Sequence, residues 1–234
     1  MNRIIKVARM QLVNTWVFIG IPLVILASAF GFTLAIWWIV AGTAGTSDGE
    51  VLYGGGAQAP LWYFLALGIQ SLVYTFPFSL AMSVSRRTFF LGTTGLFAVC
   101  ALAMAVFYYL MGLVEQATGG WGVNGRFFAL QWIAQNNWAI QILFYFTLMM
   151  LLFLIGFFCA VIYLRWRTTG MLLLGIGAAL VVLAGIAVLT WRDAWGQLGS
   201  WLAGFTAGTT TLTGLGCAVV LGAISWLALR KATA

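Results

Sequence analysis

Long apolar runs separated by short polar links set the pattern of this chain. Six of them reach the roughly 20 residues that a helix needs to cross a bilayer: about 16–41, 61–82, 89–114, 138–163, 171–191 and 209–229. The runs are continuous, whereas the strands of a membrane barrel alternate apolar and polar positions over about ten residues, so the pattern predicts helices. Ahead of the first run, Arg3, Lys6 and Arg9 share one arc of a helical wheel and Ile4, Ile5, Ala8 and Leu12 share the opposite arc. A helix divided in this way lies in the interface plane with its bases toward anionic headgroups. Segment 192–208 places Trp195, Leu198, Trp201 or Leu202, and Phe205 at helical steps, which predicts a short helix over the outer end of the bundle. The expected architecture is an all-α integral membrane protein, with an interfacial helix over 1–15 and one six-helix domain over 16–230.

Composition agrees with lipid as the solvent. Of the 234 residues 63% are hydrophobic and 6% charged, against roughly 25% charged in an average soluble domain. The net charge of +7 does not point to nucleic acid, because the bases sit in short groups beside apolar runs and form no long basic face. Their placement gives a direction instead. Arg3, Lys6, Arg9, Arg86, Arg87, Arg165, Arg167, Arg230 and Lys231 flank one set of run ends, and only Arg126 and Arg192 flank the other. That asymmetry predicts that the richer side, with both termini, is cytoplasmic. The acids Asp48, Glu50, Glu115 and Asp193 fall in the opposite, outer links. A first run of about 26 residues is too long for a signal-peptide core of roughly 7–15, so it is expected to be retained.

Trp37, Trp38, Trp62, Tyr63, Tyr108, Tyr109, Trp138 and Trp191 gather near run ends, as interfacial belts do. Pro77 is expected to bend the second span, since proline removes an i→i−4 hydrogen bond, and Pro22 either bends the first or lies within its first turn, where it costs little. Gly175 with Ala179, Gly204 with Gly208, and Ala218 with Gly222 offer close helix approach.

The missing chemistry narrows the function. With no histidine in the chain, imidazole base catalysis and histidine-ligated metal or haem are excluded. Neither nucleotide-binding fingerprint is present, so the chain is not expected to hydrolyse ATP itself. Cys100, Cys159 and Cys217 lie inside apolar runs at no metal or disulfide spacing and read as small buried hydrophobes. No run contains a charged residue of the kind that couples transport to ions or protons. The neutral polar residues Gln70, Ser71, Thr75, Gln141 and Thr147 either bond between helices or line a substrate path. Energy for any transport would have to enter from another subunit.

The link between the second and third runs reads Ser83-Val84-Ser85-Arg86-Arg87-Thr88-Phe89-Phe90-Leu91-Gly92. Ser85 can cap a helix, and the paired arginines beside Phe89 and Phe90 make a compact basic and aromatic knob. With the basic leader and six runs, this link resembles that of bacterial ABC-2-type transporter permeases, in particular the small actinobacterial-style permeases paired with a separately encoded ATPase. The resemblance implies two permease chains, alike or different, and two ATPase subunits carrying ATP and Mg, with no cofactor in this chain. It implies an elbow helix over about 1–13, bearing Arg3, Lys6 and Arg9. It also implies a coupling helix over about 83–91, in which Ser83, Val84, Ser85, Arg86, Arg87, Thr88, Phe89 and Phe90 meet the ATPase. Helical elements outside the membrane between spans five and six are another family trait. The chain lacks the long, cysteine-bearing outer loop of the larger exporters. The expected role is a non-enzymatic, multi-pass permease subunit of an ATP-driven exporter in a bacterial plasma membrane, moving an apolar or amphipathic substrate such as a lipid, peptide or antibiotic, with Gln70, Thr75, Gln141 and Thr147 as the candidate path. Two other readings are the substrate-binding membrane component of a vitamin importer and a non-transporting scaffold or immunity protein.

Overall fold

The computed structural model describes residues 3–12, 15–44, 51–134 and 137–231. The structure is about 89% helical, and its one sheet among the described residues joins two-residue strands in parallel, β1 (Leu52–Tyr53) and β2 (Gly125–Arg126). The helices are α1 (Arg3–Gln11), α2 (Ile21–Ala44), α3 (Ala59–Gln70), α4 (Phe76–Ala81), α5 (Arg86–Ala117), α6 (Gln131–Ala134), α7 (Trp138–Trp191), α8 (Trp195–Ala203) and α9 (Ala207–Lys231). Among the described residues five helical stretches are long and apolar enough to cross a membrane: Trp16–Thr43, Gly55–Ser79, Arg86–Ala117, Trp138–Trp191 and Ala207–Arg230. The expected spans four and five are both inside the fourth of these. Asp48 and Glu50 lie outside the described residues, as do the side chains of Arg3, Lys6 and Lys231.

Helix α7 has 54 residues, about 81 Å at 1.5 Å per residue, far more than a hydrocarbon core of roughly 30 Å. It is broken at Arg167, whose φ of 52° and ψ of −144° fall in a region nearly reserved for glycine. Two arms result, one on each side of the break. The first arm carries the core: it packs against α3, α5 and α9, and Phe153 stacks on Phe97 at 4.0 Å between centroids. Its crossing with α3 is made by two glycines. A Cβ on Gly68 would fall on the carbonyl oxygen of Phe153, and one on Gly156 on that of Leu65, so the two backbones touch. The second arm is exposed along nearly all of 171–191, and α8 buries no residue. The stripe expected over 192–208 is therefore helical, but it does not cover the bundle.

Pro22 and Pro77 each follow an interruption of their helix, and Pro22 lies in the first turn of α2. A π-helical turn over Trp16–Gly20 precedes Pro22, and another over Ser71–Thr75 precedes Pro77. The carbonyls four residues before these prolines, on Phe18 and Val73, lie inside the widened turns. The proline ring would otherwise collide there with an ordinary helical turn.

Several expectations need correction. No separate helix forms over 83–91: a tight turn with Ser83 at φ 57° leads straight into α5, which then runs to Ala117. Glu115 is consequently not in an outer loop but in the last turns of a spanning-length helix. Trp37 and Tyr108 are core residues, at 4% and 0% exposure, rather than interfacial anchors. Cys217 faces outward, while Cys100 and Cys159 are half-buried, and all three are free thiols.

Candidate functional site

One end of the molecule gathers the bases. Ser85 caps α5, its hydroxyl accepting from the Thr88 N–H at 3.2 Å, as expected of a serine before a helix. Arg86 Nη1 donates to the carbonyls of Arg230 at 3.1 Å and Leu229 at 3.4 Å. Carbonyls in the last turn of a helix lack partners within it, and a cation there also meets the negative end of the helix dipole. Arg86 thereby ties the start of α5 to the end of α9. Arg87 turns to a different place, a cleft of about 640 Å³ lined by Arg87, Phe90, Leu91, Trp226 and Arg230. Phe89 has 0% exposure and meets Phe76 edge-on at 5.2 Å, so the expected insertion of its ring into a partner's pocket is corrected: that ring is part of this chain's own core. Ser83 and Ser85 remain exposed at the corner, with Met82.

Helix α1 packs beside this corner. Val7 is buried, and Gln11 donates from Nε2 to the Thr93 hydroxyl at 2.7 Å. The buried face is thus Val7 and Gln11, one turn apart, while Ile5 of the expected apolar arc is about half exposed and Arg9 is exposed. Val7 and Met10 share a 410 Å³ cleft with Met82, Ser83, Val84, Ser85 and Thr88.

The opposite end is closed by a cap built around one acidic side chain. Glu115 is fully buried. Its Oε2 accepts from Trp121 Nε1 at 3.0 Å, from Phe127 N at 2.9 Å and from Phe128 N at 3.0 Å, and its Oε1 accepts from Ala129 N at 2.9 Å. A carboxylate at a helix C-terminus is disfavoured by the dipole, and burial adds a large desolvation cost. Four convergent N–H groups offset both. The chain reaches them through left-handed residues at 119–122, where Gly120 (φ 72°) has no room for a side chain against Gly125. Around this point Phe30 packs against Trp121, Phe127 and Phe128, Trp37 covers Gly125, Tyr108 donates to the Ala57 carbonyl at 2.7 Å, and Tyr145 donates to that of Phe128 at 3.0 Å. The cap joins the strand pair β1–β2 to α2, α5 and α7.

The four polar residues expected to form one path do not share an environment. Gln70 is exposed at the end of α3, and Thr75 is half-buried in the π-helical turn. Gln141 is half-buried near the start of α7. Thr147 is buried where α9 presents Gly214, and its hydroxyl has no hydrogen-bond partner among the described residues.

The geometry defines a mainly helical chain whose long apolar helices are suited to a membrane, with a basic end and a carboxylate-clamped cap at the other. No family model matches it, and neither does any curated protein or solved structure.

Proposed function

We propose that this chain is the permease subunit of an ATP-driven exporter of the ABC-2 type, with six membrane crossings and both ends in the bacterial cytoplasm. The crossing count is supported by helix direction. Along α9, Gly208, Gly214 and Gly222 meet Ile140, Thr147 and Leu154 in that order, so α9 runs parallel to the first arm of α7. The chain between 167 and 207 must therefore return across the bundle, and the apolar second arm of α7 is its route. The basic end is then the cytoplasmic one.

One observation carries the transport reading. Helix α5 runs unbroken for 32 residues from the exposed corner 82–85 to Glu115, whose carboxylate holds the outer cap. A push on the corner is delivered to that cap through a single rigid element. The ATPase surface of this proposal is the corner itself, with Met82, Ser83 and Ser85; Arg86, Phe89 and Phe90 serve to anchor it. The second arm of α7, exposed along most of its length, is the surface available to a second permease chain. The substrate is apolar or amphipathic, since the described interior offers one carboxylate and that one is already occupied.

The test is gentle purification of the tagged chain from its native membrane, with identification of what accompanies it. An ATP-hydrolysing subunit is expected, lost in Met82→Glu while membrane insertion is retained. Absence of any such subunit from the wild-type complex overturns the proposal, and cytoplasm-side protection of Gln197 with outside labelling at Ser85 overturns the topology.

A further inference from the structure

The cleft holding Arg87 and Arg230 shares two of its walls with a second one. Phe90 and Trp226, whose rings lie 5.5 Å apart, line both the 640 Å³ basic cleft and a 370 Å³ cleft between α5, α7 and α9. The second is walled by Met150, Leu154, Leu215 and Val219 and is almost wholly apolar. Thr94 also lines it, and its hydroxyl is buried with no hydrogen-bond partner among the described residues. A basic mouth leading to an apolar slot matches an amphiphile with an anionic head.

Charge bookkeeping makes the mouth an anion site. Arg86 is engaged by the carbonyls of α9, but those neutral groups leave its charge in place beside Arg87 and Arg230. Of the described carboxylates, Glu115 is 28 residues along α5 from Arg87, about 42 Å at 1.5 Å per residue. Asp193 follows the far end of α7. No described carboxylate is near enough to compensate the two guanidinium groups that line the cleft, beside an apolar slot where counter-ions from water are least able to do so. Basic pockets between membrane helices on the cytoplasmic side are filled by lipid phosphates.

We infer that this double cleft binds one anionic phospholipid from the surrounding leaflet, its phosphate against Arg87 and Arg230 and an acyl chain along Phe90, Met150 and Leu154. The site rests on the membrane reading of the helices but not on the transporter reading, and it is measured without an ATPase.

The test uses the full chain, delipidated in detergent, with lipid binding counted by native mass spectrometry. The probes are dioleoylphosphatidylglycerol, dioleoylphosphatidylcholine and glycerol 3-phosphate. Expected is one phosphatidylglycerol per chain, bound about tenfold or more tighter than phosphatidylcholine, since each of the two bases near an anionic headgroup contributes about fivefold. Glycerol 3-phosphate should neither bind nor compete. The preference should fall to within about twofold in Arg87→Gln/Arg230→Gln and survive in large part in Arg87→Lys/Arg230→Lys. Ala223→Trp, which fills the exposed flank of the slot, should weaken both lipids. Equal binding of the two lipids by the wild-type chain overturns the inference, as does a preference that survives the double glutamine variant. Competition by glycerol 3-phosphate would mean an anion mouth with no lipid slot, and would also overturn it. If the variants do not fold, the wild-type comparison of the three probes decides.

Discussion

Replacing Glu115 by glutamine tests the clamp on which the cap over 119–129 depends. The substitution keeps shape and removes charge. Its oxygen will settle where three donors converge, on Trp121, Phe127 and Phe128. Charged hydrogen bonds contribute about 1.5–3 kcal/mol and neutral ones about 0.5–1.5, so each of those three weakens by roughly 1 kcal/mol. The new amide NH₂ then faces the N–H of Ala129, which leaves a buried donor unsatisfied at about 1–3 kcal/mol. The sum is about 4–6 kcal/mol, as large as the whole stability of many domains.

The loss should appear first in the cap rather than in the bundle, because the donors belong to 121–129. Arg126 of β2 supplies the readout, since trypsin can cut there once the strand pair opens. When opening and closing are fast, cleavage follows the open population, so the variant should be cut at least about a hundredfold faster. Glu115→Ala should be at least as severe. Cleavage of Glu115→Gln within about threefold of wild type would show that the four N–H groups do not depend on the charge, and the clamp argument would fail.

Other consequences of the packing are simpler to state. Gly68→Ala or Gly156→Ala drives a methyl group into a backbone carbonyl and should cost about 1–3 kcal/mol or more in thermal unfolding. Gly175→Ala, where the space is open, should be neutral or slightly stabilising; equal effects at the three sites would refute the close crossing. Pro77→Ala should let Ser71–Thr75 relax toward ordinary helix, shifting the distance between spin labels at Trp62 and Ser83. An unchanged distance would show that packing, not proline, sets the interruption.

The helices were legible because apolar length and basic flanks are set by lipid, which acts on every residue of a run alike. Irregularity near Pro22 and Pro77 was legible for a similarly local reason, the steric demand of proline on the residues before it, but its form as π-helical turns was not. What stayed hidden depends on partners distant in sequence. Gly68 and Gly156 look like any other glycines of an apolar run until α3 crosses α7, whereas Gly175 with Ala179, equally suggestive in spacing, faces open space. Trp37 and Tyr108 read as interfacial by position, and only the fold of 119–130 reveals what buries them.

The site divides along the same line. Ser85 could be recognised as a cap because its partner, Thr88, is three residues away. Arg86 could not be assigned to the carbonyls of Leu229 and Arg230, which are more than 140 residues distant, and so it read as a docking residue like its neighbour. Glu115 is the most instructive case. An acid just past an apolar run normally marks the start of an outer loop, because burying it requires donors that a helix end does not provide. Here a stretch rich in glycine turns back and supplies four. The local signal that could have suggested this was the glycine run 119, 120, 122 and 125 following an acid, since glycine takes the left-handed conformations that let the chain reverse and bring the N–H groups of 127–129 back over the helix end. That signal connects α5 to the cap, and it makes the two ends of one helix, an arginine-rich corner and a clamped carboxylate, parts of a single mechanical element.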